Sequence, residues 1–175
     1  MANLVIDIGN TALKAAWAEE LTLGRTYRYQ GERIMDFIIS LTAEQKPEIM
    51  VLSSVRNFSK KDVSVLKEHC GKLIVVDESV SGKYDLPEYL TPDRTASLIA
   101  ARHLFKNKGC TVFDLGAMLT VDFIDKEGKY LGGNVSLGCR TRFKSLHRYS
   151  KNLPLLQCQE EVQEIGNDVF SSIHS

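Results

Sequence analysis

The most constraining feature of this sequence is a short pattern that occurs twice. Residues 4–9 and residues 111–116 each contain a largely apolar run, an aspartate, one apolar residue and a glycine. The two aspartates, Asp7 and Asp114, lie 107 positions apart. An apolar run that ends at such a turn predicts a buried strand. A long-range repeat of this unit predicts two related lobes around a central cleft.

The first lobe is predicted to contain strands that alternate with helices after an initial meander. The sequence pattern predicts strands at 3–8, 22–29, 49–52 and 73–76, and helices at 32–44 and 59–69. Residues 12–18 fit either a helix or the second strand of a hairpin, because a Gly-Asn turn precedes them. This order predicts an α/β domain with a mixed sheet.

The second lobe is predicted to be shorter than the first. A helix capped by Thr91, with Pro92 at its first position, ends at Gly109 and leads into the repeat. Further strands are predicted at 111–116, 119–124 and 130–136, and helices at 140–149 and from 166 onward. The lobes are therefore placed at residues 1–109 and 110–175, with the second lobe incomplete. Either the chain is a truncated member of its kind, or a partner subunit covers the exposed sheet edge.

Charge and cysteine spacing exclude several classes of function. The 175 residues carry equal numbers of basic and acidic side chains, so nothing in the net charge favours a nucleic-acid partner. The cysteines lack the spacing of a zinc site or a C-x-x-C motif; they are Cys70, Cys110, Cys139 and Cys158. The N-terminus lacks a signal-peptide pattern, and no apolar run approaches the roughly 20 residues that span a bilayer. We therefore expect a cytoplasmic protein with no membrane partner.

The turn after the first strand is a candidate phosphate site. Gly9 allows a phosphate to approach the backbone closely, and the side chains of Asn10 and Thr11 can donate to its oxygens. Asp7 offers a carboxylate to Mg²⁺, which prefers oxygen ligands. The alternative is a plain hairpin turn with a solvated aspartate. Lys14 fits either a phosphate counter-charge or an ordinary surface lysine.

The repeated turn is the second candidate site, with Asp114, Gly116, Thr120 and Asp122. Two such turns that face each other can clamp a triphosphate from both sides. Their carboxylates can also hold a cation that neutralises the phosphates, and phosphoryl transfer requires little more. The alternative is a coincidence between two hairpins.

Two further segments carry candidate ligand contacts. Gly132 and Gly133 would weaken a strand unless a ligand or another backbone comes close, so they indicate either a nucleotide contact or a β-bulge. Asp93, at a helix start, is a candidate general base for a substrate hydroxyl, and Arg94 is a candidate for binding a substrate carboxylate. The alternative is that Asp93 only complements the helix dipole and that Arg94 is solvated.

Taken in order, these segments resemble those of the type III pantothenate kinases. The resemblance runs from residue 3 to the end and rests on Asp7-x-Gly9-Asn10-Thr11, Tyr84-x-x-Pro87-x-x-Leu90-x-x-Asp93-Arg94, Asp114-x-Gly116 with Thr120 and Asp122, and Gly132-Gly133. It implies an α/β fold of the actin and sugar-kinase superfamily, with two ribonuclease-H-like lobes, mixed sheets and a central cleft. It also implies ATP-dependent phosphorylation of pantothenate to 4′-phosphopantothenate, the first step of coenzyme A synthesis.

The resemblance further implies a role for each candidate residue. Asp93 would accept the proton of the pantothenate hydroxyl, and Arg94 and Tyr84 would hold pantothenate. Asp7 would bind Mg²⁺, and Asp114 would bind a monovalent cation, K⁺ or ammonium. The implied nucleotide and phosphate contacts are Asp7, Gly9, Asn10, Thr11, Gly116, Thr120, Gly132 and Gly133. Members are similar in being homodimers with the pantothenate pocket at the subunit interface.

Four positions depart from the family pattern. Thr91, Ala117, Leu137 and Val169 stand where the family usually has Gly, Thr, Pro and Thr. Ala117 lacks a hydroxyl donor aimed at phosphate, and losing one donor to developing charge costs about 10²-fold or more in rate. Two alternatives follow. One is a catalytically impaired relative that acts as a binding or regulatory protein, since some members were first described as accessory factors for transcription. The other is a phosphotransferase for another small hydroxyl substrate.

Overall fold

The structure, a computed structural model, describes residues 2–159 and 161–175. The chain divides into two compact units, Met1–Asn107 (unit 1) and Lys108–Ser175 (unit 2). Each unit contains one sheet together with helices. Within the described residues, every helix is too short or too polar to cross a lipid bilayer.

Unit 1 is built on a five-stranded mixed sheet. Its strands are β1 Asn3–Ile8, β2 Leu13–Glu19, β3 Thr22–Tyr29, β4 Ile49–Ser54 and β5 Lys72–Val75. The order is β3-β2-β1-β4-β5, with β1–β2 and β2–β3 antiparallel and with β1–β4 and β4–β5 parallel. The predicted α/β class with a mixed sheet is thereby confirmed. The hairpin interpretation of residues 12–18 is also correct, because β2 pairs with β1 along its whole length.

The helices of unit 1 are α1 Ile34–Leu41, α2 Lys60–Glu68, α3 Glu78–Lys83 and α4 Pro92–Leu104. Helix α3 was not predicted; Asp77 caps it by accepting hydrogen bonds from backbone N–H groups of α3. The predicted cap of α4 is wrong in one respect. Within the described residues, the Thr91 side chain makes no capping hydrogen bond, although its backbone has the extended N-cap conformation. The helix also ends at Leu104, before the predicted Gly109.

The core of unit 1 lies on one side of its sheet. Alternate residues of β1 are buried, as expected for a strand with one face against a core. Helices α1 and α2 contribute Ile38 and Leu66 to the same cluster. Its buried members are Leu4, Ile6, Ile8, Leu13, Ala15, Ile38, Met50, Leu52, Leu66 and Cys70. Because Leu4, Ile6 and Ile8 point to this cluster, Asp7 points to the opposite face, away from the hydrophobic core.

Unit 2 contains a three-stranded sheet and two helices. The strands are β6 Cys110–Leu115, β7 Met118–Ile124 and β8 Tyr130–Leu137, and the helices are α5 Cys139–Tyr149 and α6 Val169–His174. The strands follow one another through short turns and pair antiparallel, so the predicted mixed pairing holds for the sheet of unit 1 and not for this one. Helix α5 packs against β7 and buries Phe143.

The two faces of the unit 2 sheet differ in exposure. Directly paired residues of antiparallel strands point to the same face, so Phe113, Leu115 and Phe123 share one face. All three are exposed. Asp122 and Ile124 lie on the opposite face and are buried. The alternation in β6 and β7 therefore leaves one apolar face open to solvent.

Candidate active site

The structure divides the predicted site residues between the two units. Unit 1 contains Asp7, Gly9, Asn10, Thr11, Tyr84, Asp93 and Arg94, and unit 2 contains Asp114, Gly116, Thr120, Gly132 and Gly133. The cleft between the lobes stays a prediction.

Asp7 lies near the end of β1, between two neighbouring strands that each supply a polar partner. It pairs with Lys14 of β2 and with Ser53 of β4. The Ser53 hydroxyl donates to Asp7 Oδ1 at 3.4 Å, and Lys14 Nζ lies 3.8 Å from Asp7 Oδ2. The Asp7 side chain is 40% exposed, so its carboxylate is accessible to a ligand or a hydrated cation. Lys14 is exposed as well, and its ammonium is placed beside Asp7.

The turn that follows β1 is held by backbone and side-chain hydrogen bonds. Gly9 N donates to Ala12 O at 3.1 Å, which closes the turn. Arg56 Nη2 donates to Asn10 O at 2.9 Å. A Cβ on Gly9 would lie 3.5 Å from Ala12 O, an ordinary contact, so packing in the part of the chain that the structure describes does not explain why this position is glycine.

Arg56 is a candidate site residue that sequence reasoning missed. It follows β4, whose carboxyl end lies beside that of the parallel strand β1. Ser54 fixes the backbone there, because Arg56 N donates to Ser54 Oγ at 3.0 Å. Lys14 and Arg56 thus bring two cations to one turn, which suits a polyanionic ligand. The available signal in the sequence was a basic residue shortly after the strand predicted at 49–52.

Asp93 and Arg94 lie in the first turn of helix α4, and the burial of Arg94 excludes one of its two interpretations. Asp93 is half-buried, and its Oδ1 accepts from Arg94 N at 2.9 Å, as an acidic residue in a first helical turn does. Arg94 is only 7% exposed. The interpretation of Arg94 as a solvated surface residue is therefore wrong. A buried guanidinium in a helix start is a costly feature that requires compensating interactions.

Tyr84 is linked to the same helix through its backbone. It is the C-cap residue of α3, and its carbonyl oxygen accepts a hydrogen bond from Arg102 Nη1 of α4. The contact between Ser81 and Thr95, 3.4 Å between the two hydroxyl oxygens, joins α3 and α4 again. Helix α4 in turn packs against β4, the strand that carries Ser53. Asp93 and Arg94 therefore lie on a helix that contacts β4, the strand next to β1, and Tyr84 is bonded to that helix from the end of α3.

In unit 2, the polar residues of the repeated turn share one face of the sheet. Asp114 of β6 pairs directly with Thr120 of β7, and Asp122 follows on the same face. Gly116 N donates to Met118 O at 2.9 Å and closes the turn. Asp122 is 2% exposed, and its Oδ1 accepts from Tyr130 OH at 3.0 Å. Asp114 is half-buried, so its carboxylate is more accessible than that of Asp122.

Two different structural features explain why positions 132 and 133 of β8 are both glycine. A Cβ on Gly133 would collide with Asp122 Oδ1 and would lie 2.7 Å from Val121 O. Gly132 has a φ of +131°, at a register shift between β7 and β8. The register shift at Gly132 marks a β-bulge, whereas Gly133 is the residue at which the strand lies close to Asp122. The bulge is thus present, and a nucleotide contact at these glycines stays a prediction.

Oxygen ligands for cations are available, although they do not form a complete protein cage. Within the described residues, no three histidine, cysteine, aspartate or glutamate side chains converge on one point. Mg²⁺ commonly binds one or two carboxylates together with substrate phosphates, so the accessible carboxylate of Asp7 fits this mode. The carboxylate of Asp114 is half-buried and could likewise supply one oxygen ligand to a monovalent cation.

The departures from the family pattern have distinct local environments. Ala117 accepts two hydrogen bonds at its carbonyl oxygen, from Gly138 N at 3.0 Å and from the Thr141 hydroxyl at 2.6 Å. Leu137 ends β8 and pairs with Met118. Val169 is exposed at the start of α6. The loss of the hydroxyl at position 117 therefore leaves the backbone of the turn well anchored.

The hydrogen bond between Tyr130 and Asp122 predicts a stability effect. Tyr130→Phe is expected to lower the free energy of unfolding by about 1–2 kcal/mol, because a buried carboxylate loses a donor. Urea denaturation followed by circular dichroism measures this. The matched control is Tyr149→Phe, since Tyr149 is 85% exposed and should change stability by less than about 0.5 kcal/mol. Equal effects of the two substitutions would show that the hydrogen bond contributes nothing.

Comparison with known proteins gives a consistent result across almost the whole chain. The curated type III pantothenate kinase of Cytophaga hutchinsonii is 34% identical over 182 residues, which cover 99% of this chain and 73% of that protein. The type III pantothenate kinase of Bacteroides fragilis strain YCH46 is 28% identical and is covered to 72%. A solved structure of a Baf family transcriptional activator from Campylobacter jejuni has a TM-score of 0.60 at 19% identity, over 98% of this chain and 71% of that one. This last likeness concerns the fold alone.

The family model described as type III pantothenate kinase matches residues 3–175. The match includes both Asp-x-Gly turns, the start of α4 and the Gly132-Gly133 bulge, so it covers every site residue that the sequence predicted. This chain therefore belongs to the type III pantothenate kinase family.

Proposed function

We propose that this protein transfers the γ-phosphoryl group of ATP to the hydroxyl of pantothenate and so makes 4′-phosphopantothenate. The observation that carries the proposal is the family match over residues 3–175, together with a phosphate-type turn after β1. Lys14 lies beside Asp7 at the start of that turn, and Arg56 donates to Asn10 O within it. Positioning and charge stabilisation supply most of the catalysis in phosphoryl transfer, and such a turn provides both.

Asp93 acts as the general base in this proposal. It takes the proton from the pantothenate hydroxyl while the hydroxyl oxygen bonds to the γ-phosphorus and the bond to the leaving ADP breaks. Arg94 and Tyr84 bind pantothenate. The burial of Arg94 supports a fixed guanidinium, which suits recognition of the substrate carboxylate better than a mobile surface side chain does.

Asp7, Gly9, Asn10 and Thr11 contact the phosphates from unit 1 in this proposal. Gly116, Thr120, Gly132 and Gly133 contact the nucleotide from unit 2. Asp7 holds Mg²⁺, which neutralises phosphate charge, and Asp114 holds K⁺ or ammonium. The Gly9 turn supports the phosphate role, because no contact among the described residues requires a glycine there. We also propose that the protein is a cytoplasmic homodimer.

A coupled assay of ADP release tests the proposal directly. The full chain is incubated with Mg²⁺-ATP and with K⁺ or ammonium, with and without pantothenate. We expect ADP release that depends on pantothenate and that stops when Mg²⁺ is chelated. A folded sample that binds nucleotide but releases no pantothenate-dependent ADP would overturn the proposal.

A catalytically impaired relative that acts as a binding or regulatory protein is the second candidate. The observation that favours it is Ala117, which offers a methyl group where the family usually has a hydroxyl. Calorimetry distinguishes the two, since nucleotide binding without turnover supports the impaired relative. A panel of small hydroxyl compounds in the same assay tests a third possibility, a kinase with a different acceptor.

A further inference from the structure

The side chain of Arg56 holds one peptide group of the turn that follows β1. Arg56 is exposed, and its Nη2 donates to Asn10 O at 2.9 Å. A guanidinium carries five N–H donors and makes its strongest hydrogen bonds to carboxylates and phosphates. Its hydrogen bond to a neutral carbonyl oxygen therefore calls for a reason other than charge pairing.

The segment after β4 fixes the backbone from which this side chain extends. Val55 N donates to Ile8 O at 3.0 Å and continues the parallel ladder between β1 and β4 past its last residue pair. The Ser54 hydroxyl accepts from Arg56 N at 3.0 Å and donates to Arg56 O at 2.9 Å. Two positions further on, Phe58 packs against the core of unit 1. Because the backbone is held on both sides, the guanidinium loses little additional freedom when it binds the turn.

The hydrogen bond from Arg56 also determines the direction of the next N–H group in the turn. The atoms of a trans peptide group are nearly coplanar, and its C=O and N–H point in opposite directions. No peptide bond in the described part of the chain is cis. Because Asn10 O points toward Arg56, Thr11 N–H points away from it.

Thr11 N–H is available to a ligand. The Gly9 N–H is occupied within the turn, because it donates to Ala12 O at 3.1 Å. Among the residues that the structure describes, no backbone oxygen accepts from Thr11 N, and Thr11 is exposed. Successive backbone N–H groups of a turn form anion sites, whereas a carbonyl oxygen repels phosphate oxygens. Rotation of the peptide between Asn10 and Thr11 would replace the donor with that oxygen.

We propose that Arg56 is a positioning residue of the phosphate site, which holds the Asn10–Thr11 peptide so that Thr11 N–H faces the phosphates of ATP. The inference rests on the proposed binding of ATP phosphates at the turn after β1. Arg56 acts through the turn and takes no part in the transfer step. Lys14 has the separate role of a counter-charge, since its Nζ lies 3.8 Å from Asp7 Oδ2 at the same turn.

Replacement of Arg56 in the full chain tests this role through ATP binding. Arg56→Met removes the donors and is expected to weaken binding of Mg²⁺-ATP about tenfold or more in calorimetry, because a hydrogen bond from a charged group is lost. The loss should persist at about 0.5 M salt, where an exposed charge is screened but the orientation of a peptide is not. Arg56→Lys keeps a donor of similar reach and should recover most of the affinity.

The matched control is Arg25→Met. Arg25 is also an exposed arginine of unit 1, and its guanidinium lies over the ring of Tyr27 at 5.1 Å from the centroid. Its replacement should leave ATP affinity within about twofold, as expected for a surface substitution away from the site. In turnover assays, Arg56→Met should raise the KM for ATP and leave the KM for pantothenate within about twofold, a division that general unfolding does not produce.

Nuclear magnetic resonance of the nitrogen-labelled chain reports on the peptide itself. The Thr11 amide proton is expected to shift downfield when Mg²⁺-ATP is added to the unmodified chain and to Arg56→Lys, and to stay in place in Arg56→Met. This readout depends on the hydrogen bond of one N–H group, so a role of Arg56 in stability alone would not change it.

Three outcomes would overturn the inference. They are an unchanged ATP affinity in folded Arg56→Met, a loss of affinity that disappears at high salt, and ATP binding by Arg56→Lys without a shift of the Thr11 amide. The third outcome decides the question even where Arg56→Met does not fold. ATP binding without pantothenate-dependent ADP release in the unmodified chain would overturn the kinase proposal alone, whereas the absence of Mg²⁺-ATP binding would overturn this inference as well.

Discussion

Asp93→Asn is expected to lower pantothenate-dependent ADP release by about 10²–10⁴-fold, the range that a positioned general base supplies. The amide keeps the size of the side chain, and its oxygen can still accept the hydrogen bond from Arg94 N. It cannot take up the proton of the acceptor hydroxyl. The loss is therefore expected in kcat, with a smaller change in the KM for pantothenate and little change in stability.

The matched control for Asp93→Asn is Asp36→Asn. Asp36 is also an acidic residue in the first turn of a helix, and it makes an exposed ion pair with Arg33 at 2.6 Å between Nε and Oδ2. Its replacement should leave ADP release within about twofold, because exposed ion pairs contribute little. Retention of more than a tenth of the activity in Asp93→Asn would rule out this residue as the base. Equal losses in both variants would point to helix stability as the cause.

Features governed by local sequence were predicted well. Strand β1 begins and ends where the apolar run of residues 3–8 does, because every second residue packs into the core. The helix predicted at 59–69 is found at Lys60–Glu68, and Ser59 caps it by accepting from Asp62 N, while Asp62 accepts in return from Ser59 N. Such a capping box depends on residues three positions apart, so the sequence contains all the information it requires.

Features governed by tertiary neighbours were not predicted. Arg56 reaches the turn at Asn10 only because β4 pairs in parallel with β1, and a pairing partner is invisible in a single strand. The pair Gly132-Gly133 indicated either a ligand contact or a β-bulge, and the atom nearest to a Cβ on Gly133 is Asp122 Oδ1 of the same sheet.

Helix α3 shows a third reason why an element was not predicted from the sequence. It is one short helix, and its residues include Ser and Gly, which are weak helix formers. Asp77 stabilises it by accepting from Ser79 N at 3.0 Å and from Val80 N at 3.3 Å. The contact between Ser81 and Thr95 of α4 stabilises the helix further. A local cap and one tertiary contact together outweigh a poor intrinsic propensity, and only the first of these is present in the sequence.

Gly138→Ala is expected to lower the free energy of unfolding of unit 2 by about 3 kcal/mol, the upper part of the usual range for overpacking. Gly138 is buried between β8 and α5. A Cβ at this position would collide with Gly116 O and would lie 2.9 Å from Ala117 O. Both obstacles are backbone atoms of the β6–β7 turn, which cannot move aside as a flexible side chain does. The hydrogen bond from Gly138 N to Ala117 O would be strained at the same time.

Two measurements distinguish a loss of stability confined to unit 2 from a loss that affects both units. Hydrogen exchange of peptides from unit 2 should speed up in Gly138→Ala, whereas the fluorescence of Trp17, the sole tryptophan, reports on unit 1 and should keep its urea midpoint. Gly82→Ala is the matched control. A Cβ on Gly82 would meet no atom of the described chain within 4 Å, and alanine favours its helical position, so stability should be unchanged or slightly higher. Similar exchange rates in the two variants would mean that the β6–β7 turn moves aside cheaply. In that case the close backbone contact at Gly138 does not hold the turn that carries Asp114 and Gly116 in place.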